Sequence, residues 1–264
     1  MALRKNDITL TIAVLLIVIL AWMSRGNLAH HSTERDVEES AINKPDTIKR
    51  CTVRVDTSLL GLTVYYPSTD SILLRCFDPP TPEKDSSIIF CCAAAFTRYD
   101  RPHNNNHLFI AGDHVCSGER KRGYPCVNNT GAFVFYNGKW KFLLDKYSHE
   151  LDSAALYNGS GFAQEMLIHE GRQIKTVRRL SQVEQYRALC QLNGELCVID
   201  AQEPQPFGVF INTIMDAGVE EALYLDMGEW HYSWYRINLG TDAIPIHSDL
   251  KQTATNWLLF YVVR

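Results

Sequence analysis

The sequence predicts an α+β fold, a single domain built on a large mixed, mostly antiparallel sheet with several hairpins and few helices. Three Xaa-Gly pairs each separate two short runs rich in β-branched or aromatic residues, which is the pattern of β-hairpins. These pairs are Asn137-Gly138, Glu170-Gly171 and Asn193-Gly194. Only one segment has helical spacing, and no stretch after residue 50 has the composition of an interdomain linker. Closely spaced hairpins favour antiparallel sheet.

The strands are assigned to runs of β-branched or aromatic residues bounded by Gly, Pro, Ser or Asp. They cover residues 51–56, 62–66, 72–77, 88–96, 132–136, 139–144, 162–168, 188–192, 222–226 and 257–263. Five apolar residues spaced at i, i+3, i+4, i+7 and i+8 predict one amphipathic helix. They are Phe207, Phe210, Ile211, Ile214 and Met215. Pro206 precedes the helix and Gly218 follows it, as is typical of helix boundaries.

The N-terminus carries an apolar run at residues 8–23, interrupted only by Thr9 and Thr11 and preceded by Arg4 and Lys5. A helix of this length spans about 24 Å, somewhat less than a hydrocarbon core of about 30 Å. Residues 1–26 are therefore either a cleaved signal peptide or an N-terminal signal anchor. Residues 27–50 form a polar tether before the domain at 51–264. We expect the domain in the cell envelope, anchored to a membrane and outside the cytoplasm, or secreted to the periplasm.

The composition excludes several classes of protein. With 46% hydrophobic and 21% charged residues, the chain is not disordered, fibrous or collagen-like. Its 26 basic and 30 acidic residues leave no excess of positive charge for phosphates, so nucleic acid is not expected as a partner. The cysteines and histidines lack zinc-binding spacing, and we expect neither a metal nor a cofactor.

Eight cysteines raise the question of disulfides in an oxidising compartment. Cys116 and Cys126 are the best candidates, because a Gly- and Pro-containing loop joins them. Cys190 and Cys197 face each other across the Asn193-Gly194 turn. Counting from the turn places them at a hydrogen-bonded pair with a wide Cα separation, so free thiols are an equal alternative.

Asp226 is the leading candidate for chemistry. It ends an apolar strand and is followed by a turn, which places a carboxylate at the rim of a sheet where ligands commonly bind. Arg187 heads the strand 188–192 and could either pair with Asp226 or hold a phosphate with its planar guanidinium. The alternative is a purely structural Arg-Asp pair.

Other polar residues are weaker candidates. Asp113 and His114 lie in a Gly-bounded loop that could display an acid-base pair. Glu165 either faces solvent from its strand or serves as a second acid. Trp230 belongs to an aromatic cluster, 230–235, that could stack on a sugar or fill the core. Arg236 is a further anion ligand.

One stretch resembles a known family. The strand led by Arg187, the Asn193-Gly194 hairpin, a helix ending at Gly218, the segment 222–228 and Ser233 follow one another in this order. This arrangement resembles the phosphodiester glycosidase domain family, whose members include the enzyme that uncovers mannose 6-phosphate, and looks like a divergent Bacteroidetes-type branch. The resemblance implies that the site contains the four matching residues Arg187, Asp226, Gly228 and Ser233.

The resemblance implies hydrolysis of a sugar-1-phosphodiester. Arg187 would hold the phosphate, Asp226 would act as an acid, a base or an orienting group, and Asp113 or Glu165 would be the second carboxylate. Gly228 and Ser233 would bind the substrate, a glycan or sugar phosphate. Arg236, Trp230 and His114 are further candidates for substrate binding on the strength of their residue types alone.

The chain departs from the family pattern. It has Ala93-Ala94-Ala95 where the family has Asn-Gly-Gly, and Met227 where the family has Gly. Because alanine cannot supply the lost amide, a non-catalytic envelope protein that binds a glycan or phosphoglycan is the alternative function. A surface module without a ligand is the third.

Overall fold

The computed structural model describes residues 51–99, 108–227, 232–247 and 254–263. The apolar N-terminal run, the tether, Gly228 and Trp230 lie outside these residues. In the part of the chain that is described, no helix has the length and hydrophobicity needed to cross a membrane.

The predicted α+β class is confirmed. All paired strands are antiparallel, and the described residues contain two helices, α1 at Glu150–Leu156 and α2 at Phe207–Asp216. The strands form three larger sheets and two short ribbons. The first sheet has seven strands, in the spatial order β1 (Thr52–Asp56), β2 (Leu62–Ser68), β16 (Glu195–Ala201), β15 (Arg187–Leu192), β18 (Val219–Tyr224), β12 (Met166–His169) and β13 (Arg172–Gln173).

The second and third sheets have five strands each. The second runs in the order β10 (Lys139–Leu143), β9 (Gly131–Tyr136), β11 (Ser160–Gln164), β7 (His114–Cys116) and β8 (Glu119–Lys121). The third runs in the order β20 (Ile244–Pro245), β19 (Ser233–Tyr235), β4 (Ile88–Ala93), β21 (Asn256–Tyr261) and β3 (Ser71–Cys76). The two ribbons pair β14 (Val183–Glu184) with β17 (Gln205–Pro206) and β5 (Thr97–Tyr99) with β6 (Leu108–Ile110).

The three sheets share one central core. Leu189 and Leu223 enter it from the first sheet, Phe133 from the second, and Phe90 and Phe260 from the third. Burial of these side chains removes apolar surface from water, which is the main stabilising contribution to such a fold. Each larger sheet therefore has one face in the shared core and must cover its other face separately.

The helices cover two of the outer faces. Four of the five residues that predicted α2 are buried against the first sheet, namely Phe207, Phe210, Ile211 and Ile214. The predicted helix is confirmed. Helix α1 was not predicted, because its seven residues bury only Leu151 and Ala154 and give too short an apolar pattern.

The three predicted hairpins are present as β9–β10, β12–β13 and β15–β16. In each turn both central residues have positive φ, for example 51° at Asn137 and 69° at Gly138. This left-handed conformation matches the right-handed twist of the flanking strands, which is why a Gly in the second position is a reliable hairpin signal.

The predicted strand 162–168 consists of two strands in different sheets. β11 ends at Gln164 in the second sheet, and β12 begins at Met166 in the first. Glu165 lies between them, and it is buried, so the predicted solvent-facing position is wrong. Both halves of the segment are buried on both faces, so the sequence contains no alternation that could reveal the change of sheet.

The eight cysteines all lie in the described residues, and no disulfide bond joins any two of them. The predicted pairing of Cys116 with Cys126 is not formed, because the Cys116 side chain contacts Cys76 instead. Cys190 lies opposite Cys197 across the β15–β16 hairpin, as predicted.

Helix α2 gives a direct test of the core. Phe210→Ala should lower the free energy of unfolding by about 3–5 kcal/mol, because it leaves a cavity between the helix and the first sheet. Val209→Ala, at a neighbouring position that is 50% exposed, should change it by less than about 0.5 kcal/mol. Urea unfolding followed by circular dichroism measures both variants. Equal effects of the two substitutions would contradict the described packing.

Candidate functional site

The candidate site is a cleft of about 480 Å³ beside the end of β18. The cleft is lined by Phe96, Thr97, Arg98, Asn128, Arg178, Glu184, Gln185, Pro204, Tyr224, Asp226 and Met227. Most of these residues come from the start of β5, the end of β18 with the loop after it, and the ribbon strand β14. Asn128, Arg178 and Pro204 come from irregular segments. Two guanidinium groups, two carboxyl groups and two aromatic rings thus meet at one surface depression.

Asp226 lies in the wall of this cleft and is only 4% exposed. Its Oδ2 accepts a hydrogen bond from the Thr97 N–H at 2.8 Å, and its Oδ1 accepts one from the Met227 N–H at 3.1 Å. Burial raises the pKa of Asp226 to about 7, although both hydrogen bonds and the charge of Arg98 lower it. Removal of water thus outweighs the favourable contacts, and the carboxyl exchanges its proton near neutral pH.

Arg98 is the accessible cation of the cleft. Its side chain is exposed, its guanidinium lies 5.8 Å from the centre of the Phe96 ring, and it donates a long hydrogen bond of 3.7 Å to Cys126 Sγ. Among the described residues it forms no ion pair. Sequence reasoning missed Arg98, although it follows the buried strand 88–96 just as Asp226 ends the strand 222–226.

Arg178 is held by carboxylates at the back of the cleft. Its Nε donates to Glu165 at 2.9 Å, and one terminal nitrogen lies 3.5 Å from Glu184. Its guanidinium stacks 4.0 Å above the centre of the Tyr224 ring. Glu165 also accepts a hydrogen bond from the Thr176 hydroxyl. Glu165 therefore fixes Arg178 and does not itself line the cleft.

Arg187 and Asp226 do not share a pocket. Ala188 pairs with Tyr224 in the first sheet, and Arg187 lies opposite Leu225. Because side chains alternate along a strand, Arg187 points into the central core and Asp226 to the opposite face. The predicted convergence of the two groups is therefore wrong.

Arg187 belongs to a buried polar cluster. Its Nε donates to Asp200 at 2.5 Å, and a terminal nitrogen donates to Ser233 Oγ at 2.9 Å. His247 Nε2 lies 2.9 Å from the other oxygen of Asp200. The predicted alternative, a structural Arg-Asp pair, is present, but its acidic member is Asp200. The register of the hairpin could have indicated this pair from the sequence, because Arg187 and Asp200 lie directly opposite each other on β15 and β16.

Asp113 and His114 lie beside a second cavity of about 370 Å³, which Asp113 lines. Asp113 accepts a hydrogen bond from Arg120 at 2.9 Å, and His114 Nδ1 lies 3.1 Å from the Gly112 carbonyl oxygen. Burial lowers the pKa of His114. The two cavities are neighbours, since Cys126 lines the second one and contacts Arg98.

Tyr232 and Trp234, the two large aromatic residues on one face of the described part of the cluster, do not present a sugar-stacking surface. Tyr232 and Trp234 are buried, and the Tyr232 hydroxyl donates to the Pro80 carbonyl oxygen at 2.7 Å. Arg236 donates to three backbone carbonyl oxygens, those of Ile88, Pro82 and Thr241. Its predicted role as an anion ligand is therefore replaced by a structural one.

The alanine tract is part of the core. Ala93, Ala94 and Ala95 are almost completely buried, and none of them lines the cleft. The Ala94 carbonyl oxygen accepts a hydrogen bond from the Asp226 N–H at 2.8 Å. The tract thus supports the backbone that carries Asp226. In the described ranges, no three metal-binding side chains gather into a site.

Comparison with known proteins supports a distant relationship in fold. Neither a family model nor a curated protein matches the chain. The catalytic domain of zebrafish N-acetylglucosamine-1-phosphodiester alpha-N-acetylglucosaminidase, auto-inhibited by its pro-peptide, is 13% identical to this chain with a TM-score of 0.52, over 80% of this chain and 82% of that one. A hypothetical protein from Synechocystis is 12% identical with a TM-score of 0.46, over 80% of this chain and 61% of that one.

Removal of the buried ion pair between Arg187 and Asp200 should destabilise the folded chain. Arg187→Ala leaves Asp200 in the interior without its cation and should lower the free energy of unfolding by about 3–5 kcal/mol. Arg54→Ala removes an exposed ion pair with Glu195 and should cost less than about 1 kcal/mol. Thermal unfolding at neutral pH compares the two variants. A cost at Arg187 as small as at Arg54 would show that the pair is not buried.

The pKa of Asp226 predicts how stability depends on pH. Because the pKa rises from 3.8 to about 7 on folding, the folded chain binds this proton more tightly than the unfolded chain. The resulting stabilisation is complete below pH 3.8 and is lost as the pH rises to about 7, by roughly 4 kcal/mol in total. Asp226→Asn does not titrate, so its stability relative to the parent should increase over this interval and then level off.

Urea unfolding at a series of pH values measures this difference. Asp56→Asn is the control, because hydrogen bonds from Ser58 lower the pKa of exposed Asp56 and its effect has the opposite sign. A difference between Asp226→Asn and the parent that stays constant with pH would contradict the raised pKa.

Proposed function

We propose that this chain is a hydrolase that cleaves a sugar-1-phosphodiester in the Asp226 cleft. The proposal rests on one observation. A buried carboxyl with a pKa of about 7 lies beside Arg98, a guanidinium that has no carboxylate partner in the described part of the chain. A proton donor next to a binding group for an anion is the arrangement that cleavage of a phosphorylated leaving group requires.

The reaction breaks the bond between the anomeric carbon and the phosphate oxygen. Neutral Asp226 donates its proton to that oxygen as the bond breaks. Water adds its oxygen to the anomeric carbon and gives a proton to a carboxylate base, and the products are a free sugar and a phosphomonoester. Glu184 is the base in this scheme, because it is the other carboxylate in the lining of the cleft. Neither Asp113 nor Glu165 lines this cleft.

The cleft also offers different contacts for the phosphate and for the sugar of such a substrate. The planar guanidinium of Arg98 is suited to hold the phosphate oxygens through paired hydrogen bonds. Phe96, beside it, offers a half-buried ring face on which a sugar can pack. The distant similarity in fold to a phosphodiester glycosidase domain supports the reaction type, and the contacts of the cleft support the roles of the residues.

The methyl diester of N-acetylglucosamine 1-phosphate is a direct probe of the proposal. Asp226→Asn should lower kcat by about 10²–10⁴-fold, because the amide cannot donate the required proton. Activity of the parent chain should fall as the pH rises above about 7, where Asp226 loses its proton. Arg98→Met should act mainly by raising KM.

Arg54→Met is the control, since Arg54 is exposed, pairs with Glu195 and lies outside the cleft. Release of free sugar, followed by chromatography, measures all variants. Full activity of Asp226→Asn or of Arg98→Met would refute the proposed site.

A non-catalytic role in binding a glycan or phosphoglycan is the second candidate. The alanine tract favours it, because no amide from that tract lines the cleft. Calorimetric titration of the probe into the chain distinguishes the two functions. Binding that depends on Arg98 but releases no sugar supports the second candidate, and absence of both binding and release contradicts both.

A further inference from the structure

The outer edge of the third sheet is occupied by side chains of the second sheet. β3 is the last strand of the third sheet, and it packs against β7. The Leu74 N–H donates to Ser160 Oγ at 3.0 Å, and Cys116 Sγ donates to the Leu74 carbonyl oxygen at 3.5 Å. Leu74 therefore directs its backbone groups away from β21 and towards these two side chains.

Cys76 belongs to the same edge. It lies two residues after Leu74 in an extended strand, so its backbone groups point in the same direction. The Cys116 thiol lies close enough to the Cys76 backbone and thiol for this contact to lower the pKa of Cys116 and raise that of Cys76. Cys116 is thus held against the backbone of β3 by its hydrogen bond to Leu74, and Cys76 lies beside it on the same strand.

We propose that Cys76 and Cys116 form a disulfide bond that links the second and third sheets. A disulfide requires two side chains that already approach closely and point towards each other. The other cysteines considered as disulfide candidates are placed less favourably. Cys126 contacts Arg98, and Cys190 and Cys197 face each other at the wide, hydrogen-bonded type of cross-strand position.

The chemistry is thiol-disulfide exchange with a disulfide oxidant. Hydrogen bonds from Cys76 lower the pKa of Cys116 to about 7, so Cys116 supplies the attacking thiolate. The thiolate attacks one sulfur of the oxidant, forms a mixed disulfide and releases one reduced thiol. Cys76 then loses its proton and attacks the Cys116 sulfur, which releases the second thiol. The two protein thiols together lose two protons and two electrons, and the oxidant accepts both electrons.

Access to the pair is limited but present. Cys116 is 6% exposed, and Cys76 is half-buried. A small disulfide such as oxidised glutathione can therefore reach the pair more readily than the fully buried Cys190 and Cys91. This difference in burial gives internal controls within one chain.

The test uses the full chain incubated with oxidised glutathione, then denatured, alkylated with iodoacetamide, digested and examined by mass spectrometry. We expect a linked pair of peptides that contain Cys76 and Cys116, whereas Cys190 and Cys91 are alkylated. The midpoint of thermal unfolding should be higher for the oxidised chain, because the link restricts the unfolded state. Alkylation of both Cys76 and Cys116 after oxidation, or a link from Cys116 to Cys126, would overturn the proposal.

Two variants complete the experiment. Cys126→Ser should keep the Cys76–Cys116 peptide pair, and Cys116→Ser should remove it. If Cys116→Ser does not fold, the peptides of the parent chain and of Cys126→Ser still decide the question. A rise in the thermal midpoint that persists in folded Cys116→Ser would show that glutathione acts elsewhere.

Discussion

The candidate cleft depends on the junction between the end of β18 and the end of β4. The Asp226 N–H donates to the Ala94 carbonyl oxygen, and the Asp226 carboxyl accepts from the Thr97 N–H. These two bonds join the end of β18 in the first sheet to the segment that leads from β4 of the third sheet into β5, and they place the carboxyl where water is excluded. The same contacts that hold the strands together therefore set the proton affinity of the group. Burial raises the pKa of Asp226 more than its hydrogen bonds lower it. The packing that stabilises the junction therefore also gives Asp226 the protonation state that the proposed chemistry needs.

Local signals in the sequence predicted much of the fold. Xaa-Gly turns specify hairpins through backbone conformation alone, and the spacing of Phe207, Phe210 and Ile214 specifies one face of α2. The sequence does not encode in any local pattern which sheet a strand joins. The segment around Glu165 shows this limit, because β11 and β12 are consecutive in the chain and yet belong to different sheets. Glu165, the residue between them, forms a buried ion pair with Arg178 that no local pattern indicates.

The site was predictable only in part. Asp226 could be found because a carboxylate at the end of a buried strand costs free energy to bury, and such a position therefore stands out in the sequence. The partner of that carboxylate could not be found, because strand alternation places Arg187 on the other face of the sheet, against Asp200. Arg178 carries no local signal, since it reaches the cleft from an irregular segment and is positioned by Glu165 and the Tyr224 ring. A motif thus identified one member of the site, whereas three-dimensional proximity identified the others.

The edge of β3 that is covered at Leu74 affects the tendency of the protein to aggregate. An exposed edge strand offers unpaired N–H and C=O groups to any other extended chain and so promotes aggregation. At Leu74 both of these groups are already occupied, by Ser160 and Cys116. A neighbouring molecule would have to displace two side chains before it could add a strand at this position. Strand β3 is thereby protected at Leu74 against the addition of a strand from another molecule, although β3 itself carries neither Pro nor Lys.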